Sequence, residues 1–259
     1  MGRLDEHFTN ISRSYNDLRT TDPDPVRYIQ EKLGARTTIN GADIGCGGGR
    51  YDLLLLEVLP ELSLTCTDVN EAMLEEPARL LEGHGHKNFC TRRMDVSAML
   101  FPQNSLDFVM TFNAIHHFDP VIFLQQVSRS VKDDGYVFIY TRLRSQNARN
   151  VWGRFFPGFK EKESRLFQMS HFEGWVDRVE GLGLNEIVFF KFRRVASLDH
   201  LMNQARNKHY STFSLYRDGE FAEALTLFRE ELHRNVRDLQ CIEWIDENIM
   251  LTFRKDSSN

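Results

Sequence analysis

The stretch Ala42-Asp43-Ile44-Gly45-Cys46-Gly47-Gly48-Gly49-Arg50-Tyr51 decides how the chain is read. An apolar run ends at Ile44 and a helical pattern starts after Arg50, so the glycines occupy a strand-to-helix turn. Glycine lets the backbone bend sharply and approach a ligand closely. In an open sheet, a turn at the carboxyl end of a strand is where ligands bind. The dinucleotide fingerprint G-x-G-x-x-G/A is met at Gly45 and Gly47 and fails at Arg50, where close helix–strand packing wants a glycine. Asp43, just ahead of the bend, would repel a pyrophosphate and suits a ligand bearing an ammonium group.

Outward from this turn, short apolar runs alternate with helical patterns. Strands are expected at Thr38–Ile44, Leu62–Val69, Asn88–Val96, Leu106–Phe112 and Tyr136–Thr141, the last after a turn at Asp134-Gly135. Helices are expected at Tyr51–Leu59, Glu71–Leu81 and Val121–Val131. This alternation predicts βαβ units and an α/β fold with a parallel sheet covered on both faces. Beyond residue 142 the character changes. Arg142–Arg165 is basic and aromatic without a clear period, His171–Val179 reads as a helix, and Ile187–Phe192 and Ile242–Phe253 read as strands. The amphipathic helices Leu198–Ala205 and Phe221–Leu232 form a helical lid at 197–237, inserted between the last two strands. The chain is expected to be one domain, 1–259, with an N-terminal helical arm at 1–18, a cofactor-binding core at 38–142 and a basic, aromatic insertion at 143–170.

Composition narrows the function. The chain has 259 residues, 41% hydrophobic and 27% charged, with a net charge of −5, which is ordinary globular composition. A general nucleic-acid coat needs a basic excess that is absent here. No apolar run approaches the roughly 20 residues of a membrane span, and Met1-Gly2-Arg3-Leu4-Asp5-Glu6 has no signal-peptide core. The four cysteines, Cys46, Cys66, Cys90 and Cys241, form no CxxC pair, so a reduced cytoplasm is expected and no structural metal. His84 and His86 lack further ligands nearby, which again predicts no metal.

Asp43-Ile44-Gly45-Cys46-Gly47-Gly48-Gly49 resembles motif I of the class I S-adenosylmethionine-dependent methyltransferases, closest to the type 11, ubiquinone/menaquinone-biosynthesis group. The resemblance runs through roughly residues 38–142. It implies a Rossmann-like, mostly parallel seven-stranded sheet with an antiparallel last strand, and S-adenosyl-L-methionine as cofactor. It also implies roles. Asp43 orients the methionine ammonium, and Gly45, Cys46 and Gly47 line the methionine portion. Asp68 accepts hydrogen bonds from both ribose hydroxyls, as a carboxylate with two acceptor oxygens can. In the following Val69-Asn70-Glu71-Ala72-Met73, Val69 and Asn70 border the nucleoside and Met73 packs on the adenine. Asp95 faces the adenine amino group, Val96 adds a backbone contact, Asn113 and Ala114 lie beside the sulfonium, and Tyr15 closes over the cofactor.

Methyl transfer from a sulfonium is an in-line displacement, so the protein supplies position, orientation and sometimes a base. The candidate bases are His116 and His117, after the fourth strand. The segment Asn113-Ala114-Ile115-His116 lacks the Asn/Asp-Pro-Pro-aromatic motif of enzymes that methylate adenine or glutamine amino groups, and no Pro-Cys pair suggests a cytosine-C5 enzyme. The insertion holds seven basic side chains against Glu161 and Glu163, and Arg142, Arg144, Arg149 and Trp152 are the expected contacts for an acceptor with an anionic group. The expected function is methylation of a small-molecule substrate, with no nucleic acid as partner. An RNA methyltransferase using the basic strip and a non-catalytic S-adenosylmethionine-binding protein are the alternatives.

Overall fold

The computed structural model describes Asn16 and residues 19–256. Tyr15, and the arm expected at 1–18 apart from Asn16, lie outside the described residues. In chain order the elements are α1 (Asp24–Leu33), β1 (Ile39–Ile44), α2 (Arg50–Val58), β2 (Leu62–Asp68), α3 (Glu71–Gly83), β3 (Phe89–Arg93), β4 (Leu106–Phe112), α4 (Pro120–Ser130) and β5 (Val131–Thr141). They continue as α5 (Arg144–Arg149), α6 (Val151–Phe155), α7 (Phe159–Lys162), α8 (Ser170–Val176), β6 (Leu182–Ala196), α9 (Leu198–Arg206), α10 (Asp218–Asn235) and β7 (Ile242–Lys255).

The seven strands form one sheet in the order β3-β2-β1-β4-β5-β7-β6. β1 pairs in parallel with both β2 and β4, and β4 with β5, while β7 runs antiparallel to β5. This is the Rossmann-like α/β architecture. Chain order reverses between β1 and β4, and at that switch point the carboxyl ends of the strands open a crevice. All seven residues of β4 are buried, as a strand covered on both faces requires, whereas edge strand β3 is mostly exposed.

The chain divides into two compact units. The larger holds Thr20–Thr141, Met169–Val188 and the chain from Ile249, and the smaller holds Arg142–Gln168 and Phe189–Asn248 with Arg19. In the larger unit, α1 starts on a proline and buries Pro25, Val26, Ile29 and Leu33, a helical stripe against the core. β5 begins at Val131, five residues earlier than its sequence pattern indicates. Its register slips between Leu106↔Val131 and Phe108↔Tyr136, and Asp134 sits at φ 62 within the slip. The expected Asp134-Gly135 turn is therefore a bulge inside a longer strand.

The smaller unit has its own apolar interior. The insertion, aperiodic in sequence, folds as the short helices α5, α6 and α7. Trp152 is 2% exposed at its centre, stacked on Phe228 at 5.1 Å and edge-on to Phe213 at 5.4 Å. Phe156, Phe159, Leu201 and Leu232 belong to the same cluster.

Candidate active site

The glycine bend is built by backbone geometry. Gly45, Gly47 and Gly49 have φ of +78°, +55° and +74°, the left-handed region that penalises a Cβ. The amides of Gly45 and Cys46 both donate to the carbonyl of Thr67, at 2.8 and 2.9 Å, and the Thr67 hydroxyl donates back to the Asp43 carbonyl at 3.0 Å. The end of β1 is thereby laced to the end of β2. A Cβ on Gly45 would lie 2.6 Å from the Cβ of Ala114, and one on Gly49 2.6 Å from the Cβ of Pro77 in α3. Only glycine lets the turn press this closely against the segment after β4 and against α3. Arg50 opens α2 and reaches back, donating to the Thr20 carbonyl at 2.7 Å and the Thr21 hydroxyl at 3.1 Å.

Asp68 ends β2 half-buried. One carboxylate oxygen accepts from the Gly47 amide at 3.2 Å, and the other from the Asn70 amide at 2.9 Å. A carboxylate offers about four acceptor directions, and these two bonds fix the orientation of this one. Asn70 caps α3, accepting from the Met73 amide at 3.2 Å. That cap turns Met73 inward, where it is only 2% exposed. Its thioether is thus packed in the core of the larger unit. Val69 keeps 54% exposure beside Asp68, an apolar side chain held in water. Leu100, with 70% exposure, is another, which sequence reading passed over.

The ends of β3 and β4 adjoin this group. The Met94 amide donates to the Asp68 carbonyl at 3.0 Å, bringing Asp95 alongside. Asp95 is exposed and caps the turn Val96–Ala98, accepting from the Ser97 hydroxyl at 2.6 Å and the Ser97 amide at 2.8 Å, bonds that hold its carboxyl below the usual range. After β4, Asn113 adopts φ 55 and its amide donates to the Tyr140 carbonyl at 2.7 Å. The following turn carries His116, half-buried, and His117, exposed, with ring centroids 4.1 Å apart. Asp43, Gly45, Cys46, Gly47, Asp68, Asn113 and Ala114 are thus gathered at one end of the sheet.

Beneath the bend lies a group that sequence reading missed. Asp52, in the first turn of α2, is 0% exposed and Asp43 2% exposed, and neither Asp52 oxygen nor Asp43 Oδ1 accepts a hydrogen bond among the described residues. Burial pushes Asp43 well above the usual carboxylate range, and the Asp52 charge raises it further. Burial also pushes Asp52 up to about 6. The available signal was an acid leading into Leu53-Leu54-Leu55-Leu56 with no basic residue one turn away.

The expected acceptor contacts lie in the smaller unit and are engaged there. Arg142 pairs with Asp246 at 2.5 Å and Arg149 with Glu247 at 2.6 Å. Arg144 donates to the Ser164 carbonyl at 2.6 Å, while its buried Nε–H meets no acceptor among the described residues. Trp152 is interior. Of these four, Arg142 and Arg149 are held in ion pairs, Arg144 by a backbone carbonyl, and Trp152 in the apolar interior. The carboxylates that neutralise the arginines lie about a hundred positions away in sequence, so a local charge count misses them. Among the described residues no group of three or more His, Cys, Asp or Glu could hold a metal ion, and no helix is long and apolar enough to cross a membrane.

Comparison with known proteins bears on the same segment. The family described as Methyltransferase domain matches residues 42–139. The ubiquinone biosynthesis O-methyltransferase of Nitrosomonas europaea is 26% identical over 148 residues, covering 55% of this chain and 60% of that protein. Among solved structures, the YcgJ protein of Bacillus subtilis shares the fold with a TM-score of 0.62 at 14% identity, covering 91% of this chain and 99% of its own. The phosphoethanolamine N-methyltransferase 2 of Haemonchus contortus, solved with S-adenosylhomocysteine, does so with a TM-score of 0.56 at 15% identity, covering 91% of this chain and 52% of its own. The matched residues span the strands whose ends carry the glycine bend and Asp68, so over 42–139 the chain is similar to the Methyltransferase domain family, and the solved structures share its fold.

Proposed function

We propose that this chain transfers a methyl group from S-adenosylmethionine to a small-molecule acceptor. The observation that carries the proposal is the joining of Gly47 to Asp68: one carboxylate holds the bend's own amide and the start of α3. The residues fit the cofactor. Asp68 would take the ribose hydroxyls, with Val69 and Val96 bordering the base and Asp95 near its amino group. The backbone of Gly45, Cys46 and Gly47 would line the methionine portion, with Asp43 as counter-charge to its ammonium. When bound, the cofactor supplies a methyl group activated on a sulfonium.

The chain's part is orientation. A bend fixed by inter-strand hydrogen bonds and left-handed glycines needs little reorganisation on binding, which is how alignment lowers a displacement barrier. Asn113 and Ala114 would border the reacting carbon. His116 or His117 would take the proton that an oxygen or nitrogen acceptor sheds as it is methylated.

The small-molecule reading is favoured over RNA by the smaller unit's aromatics. Base stacking needs exposed ring faces, whereas Trp152, Phe156, Phe159, Phe213 and Phe228 are at most 2% exposed. The relatives named above act, by their names, in ubiquinone biosynthesis and on phosphoethanolamine. Calorimetry with S-adenosylhomocysteine tests the cofactor, and release of that product from labelled cofactor in a metabolite screen tests turnover. Asp68→Asn is expected to weaken cofactor binding at least tenfold. Binding unchanged in that variant would overturn the assignment of Asp68.

A further inference from the structure

Arg50 is the residue at which the dinucleotide fingerprint breaks, and the structure gives it a task there. It opens α2 directly after Gly49, the last left-handed glycine of the bend. Its Nη1 donates twice, to the Thr20 carbonyl at 2.7 Å and to the Thr21 hydroxyl at 3.1 Å, 30 and 29 positions back in the chain. The guanidinium also lies over the Tyr51 ring, 5.3 Å from its centroid, and that ring stacks on Phe112 at 4.1 Å. Phe112 is the last residue of β4, next to Asn113. Arg50 is therefore braced between the bend and the end of β4 while it holds a third piece of chain. Apolar burial does not secure that piece: Thr20 is exposed, Thr21 is half-buried, and packing resumes at Asp22, 6% exposed. The larger unit begins at Thr20, so the two threonines are where the chain enters it. A segment kept by surface hydrogen bonds opens at low free-energy cost. The bend is secured separately, through the Gly45 and Cys46 amides on Thr67, so the segment can part from it without undoing it.

We propose that Arg50 is a positioning residue of the cofactor site: it latches Thr20–Thr21 to the glycine bend, and the latched segment retards departure of the bound nucleoside. The inference rests on the cofactor reading above. Arginine suits the task, because its planar head stacks on an aromatic face while its N–H groups stay aimed at fixed oxygens. The latch joins the segment to the first residue after the bend, so a ligand that stiffens the bend favours the latched form. By the reciprocity of linkage, the latched form then favours the ligand. The effect falls mainly on escape. An arriving ligand uses the open fraction left by a solvent-exposed contact of modest strength, whereas a leaving one meets a latch that its own presence has tightened. Loss of the latch therefore speeds release by about tenfold, the lower end of what a hydrogen bond to a charged group contributes.

The test is a chase experiment on the purified chain. Protein loaded with radiolabelled S-adenosylhomocysteine is mixed with excess unlabelled compound, and the label that stays bound is followed in time. Arg50→Ala is expected to release label about tenfold faster, with an association rate changed by less than about threefold. Arg50→Lys restores a cation with several donors on one nitrogen and is expected to release within about threefold of the wild type. Thr21→Val removes one acceptor and is expected to speed release about threefold in the wild-type background and not at all in Arg50→Ala, the non-additivity that a shared latch requires. Three results overturn the latch while leaving cofactor binding intact: release unchanged in Arg50→Ala, release as fast in Arg50→Lys as in Arg50→Ala, or Thr21→Val acting equally in both backgrounds. Failure of the wild type to bind the labelled compound at all sinks the cofactor reading itself. Should Arg50→Ala fail to fold, Thr21→Val decides alone: faster release is expected, and release at the wild-type rate refutes the proposal.

Discussion

Gly45→Ala is the most exacting perturbation of the bend. Two separable costs arise. An L-residue at φ +78° pays about 1–2 kcal/mol for the left-handed backbone. The new Cβ also lies 2.6 Å from the Cβ of Ala114, closer than real Cβ contacts allow. Overpacking of this kind costs about 1–3 kcal/mol. The two together come to about 3 kcal/mol, a large share of the 5–15 kcal/mol typical of a folded domain. Gly85 is the control, with φ +81° and nothing within 4 Å of the added atom, so Gly85→Ala reads the backbone cost alone, about 1 kcal/mol. Urea unfolding of both variants, compared by midpoint at constant slope, yields the difference. Adding Ala114→Gly to Gly45→Ala removes the clashing partner and should recover about 1–2 kcal/mol relative to the effect of Ala114→Gly alone. The S-adenosylhomocysteine affinity of Gly45→Ala should fall at least tenfold, since the segment after β4 must retreat. Equal destabilisation by Gly45→Ala and Gly85→Ala, with no coupling to Ala114, would refute the close-approach argument.

Trp152→Ala should destabilise the smaller unit by about 3–5 kcal/mol, because a fully packed aromatic is removed; a urea midpoint shift worth less than 1 kcal/mol would contradict its central place. Asp107 accepts from the Asn40 amide at 2.8 Å and pairs with Lys132 at 2.9 Å and Arg36 at 3.0 Å. Burial raises its carboxyl, and these partners outweigh that and bring it below the usual range. Its contribution is therefore complete above the ordinary carboxylate value of about 3.9 and fades as pH falls through its lowered folded value. Asp107→Asn should cost about 2 kcal/mol at pH 7 and make stability less sensitive to acid below pH ~4; an unchanged acid limb in thermal melts would count against the lowered carboxyl.

Period and turn chemistry made the first half of the chain legible without coordinates. Leu106–Phe112 reads as a buried strand because every residue is covered on both faces, and Gly45, Gly47 and Gly49 announce a bend because no other residue adopts that backbone cheaply. Asp68 was findable because it follows an apolar run. These are local properties, carried by residues a few positions apart. The pairings of Arg142 with Asp246 and Arg149 with Glu247 were not, since they join positions about a hundred residues apart. The burial of Trp152 and the inward turn of Met73 depend on which face each helix presents to elements distant in the chain. Asp43 and Asp52 belong to the same class: each acid is visible alone, but their joint burial arises only where β1 and α2 pack and exclude water. Sequence by itself determined the alternation of strands and helices and the bend, because backbone preference and hydrophobic period are short-range. Tertiary structure alone decided which charges are neutralised, which aromatics are interior and which carboxyls are buried, because dielectric and proximity are properties of the packed chain.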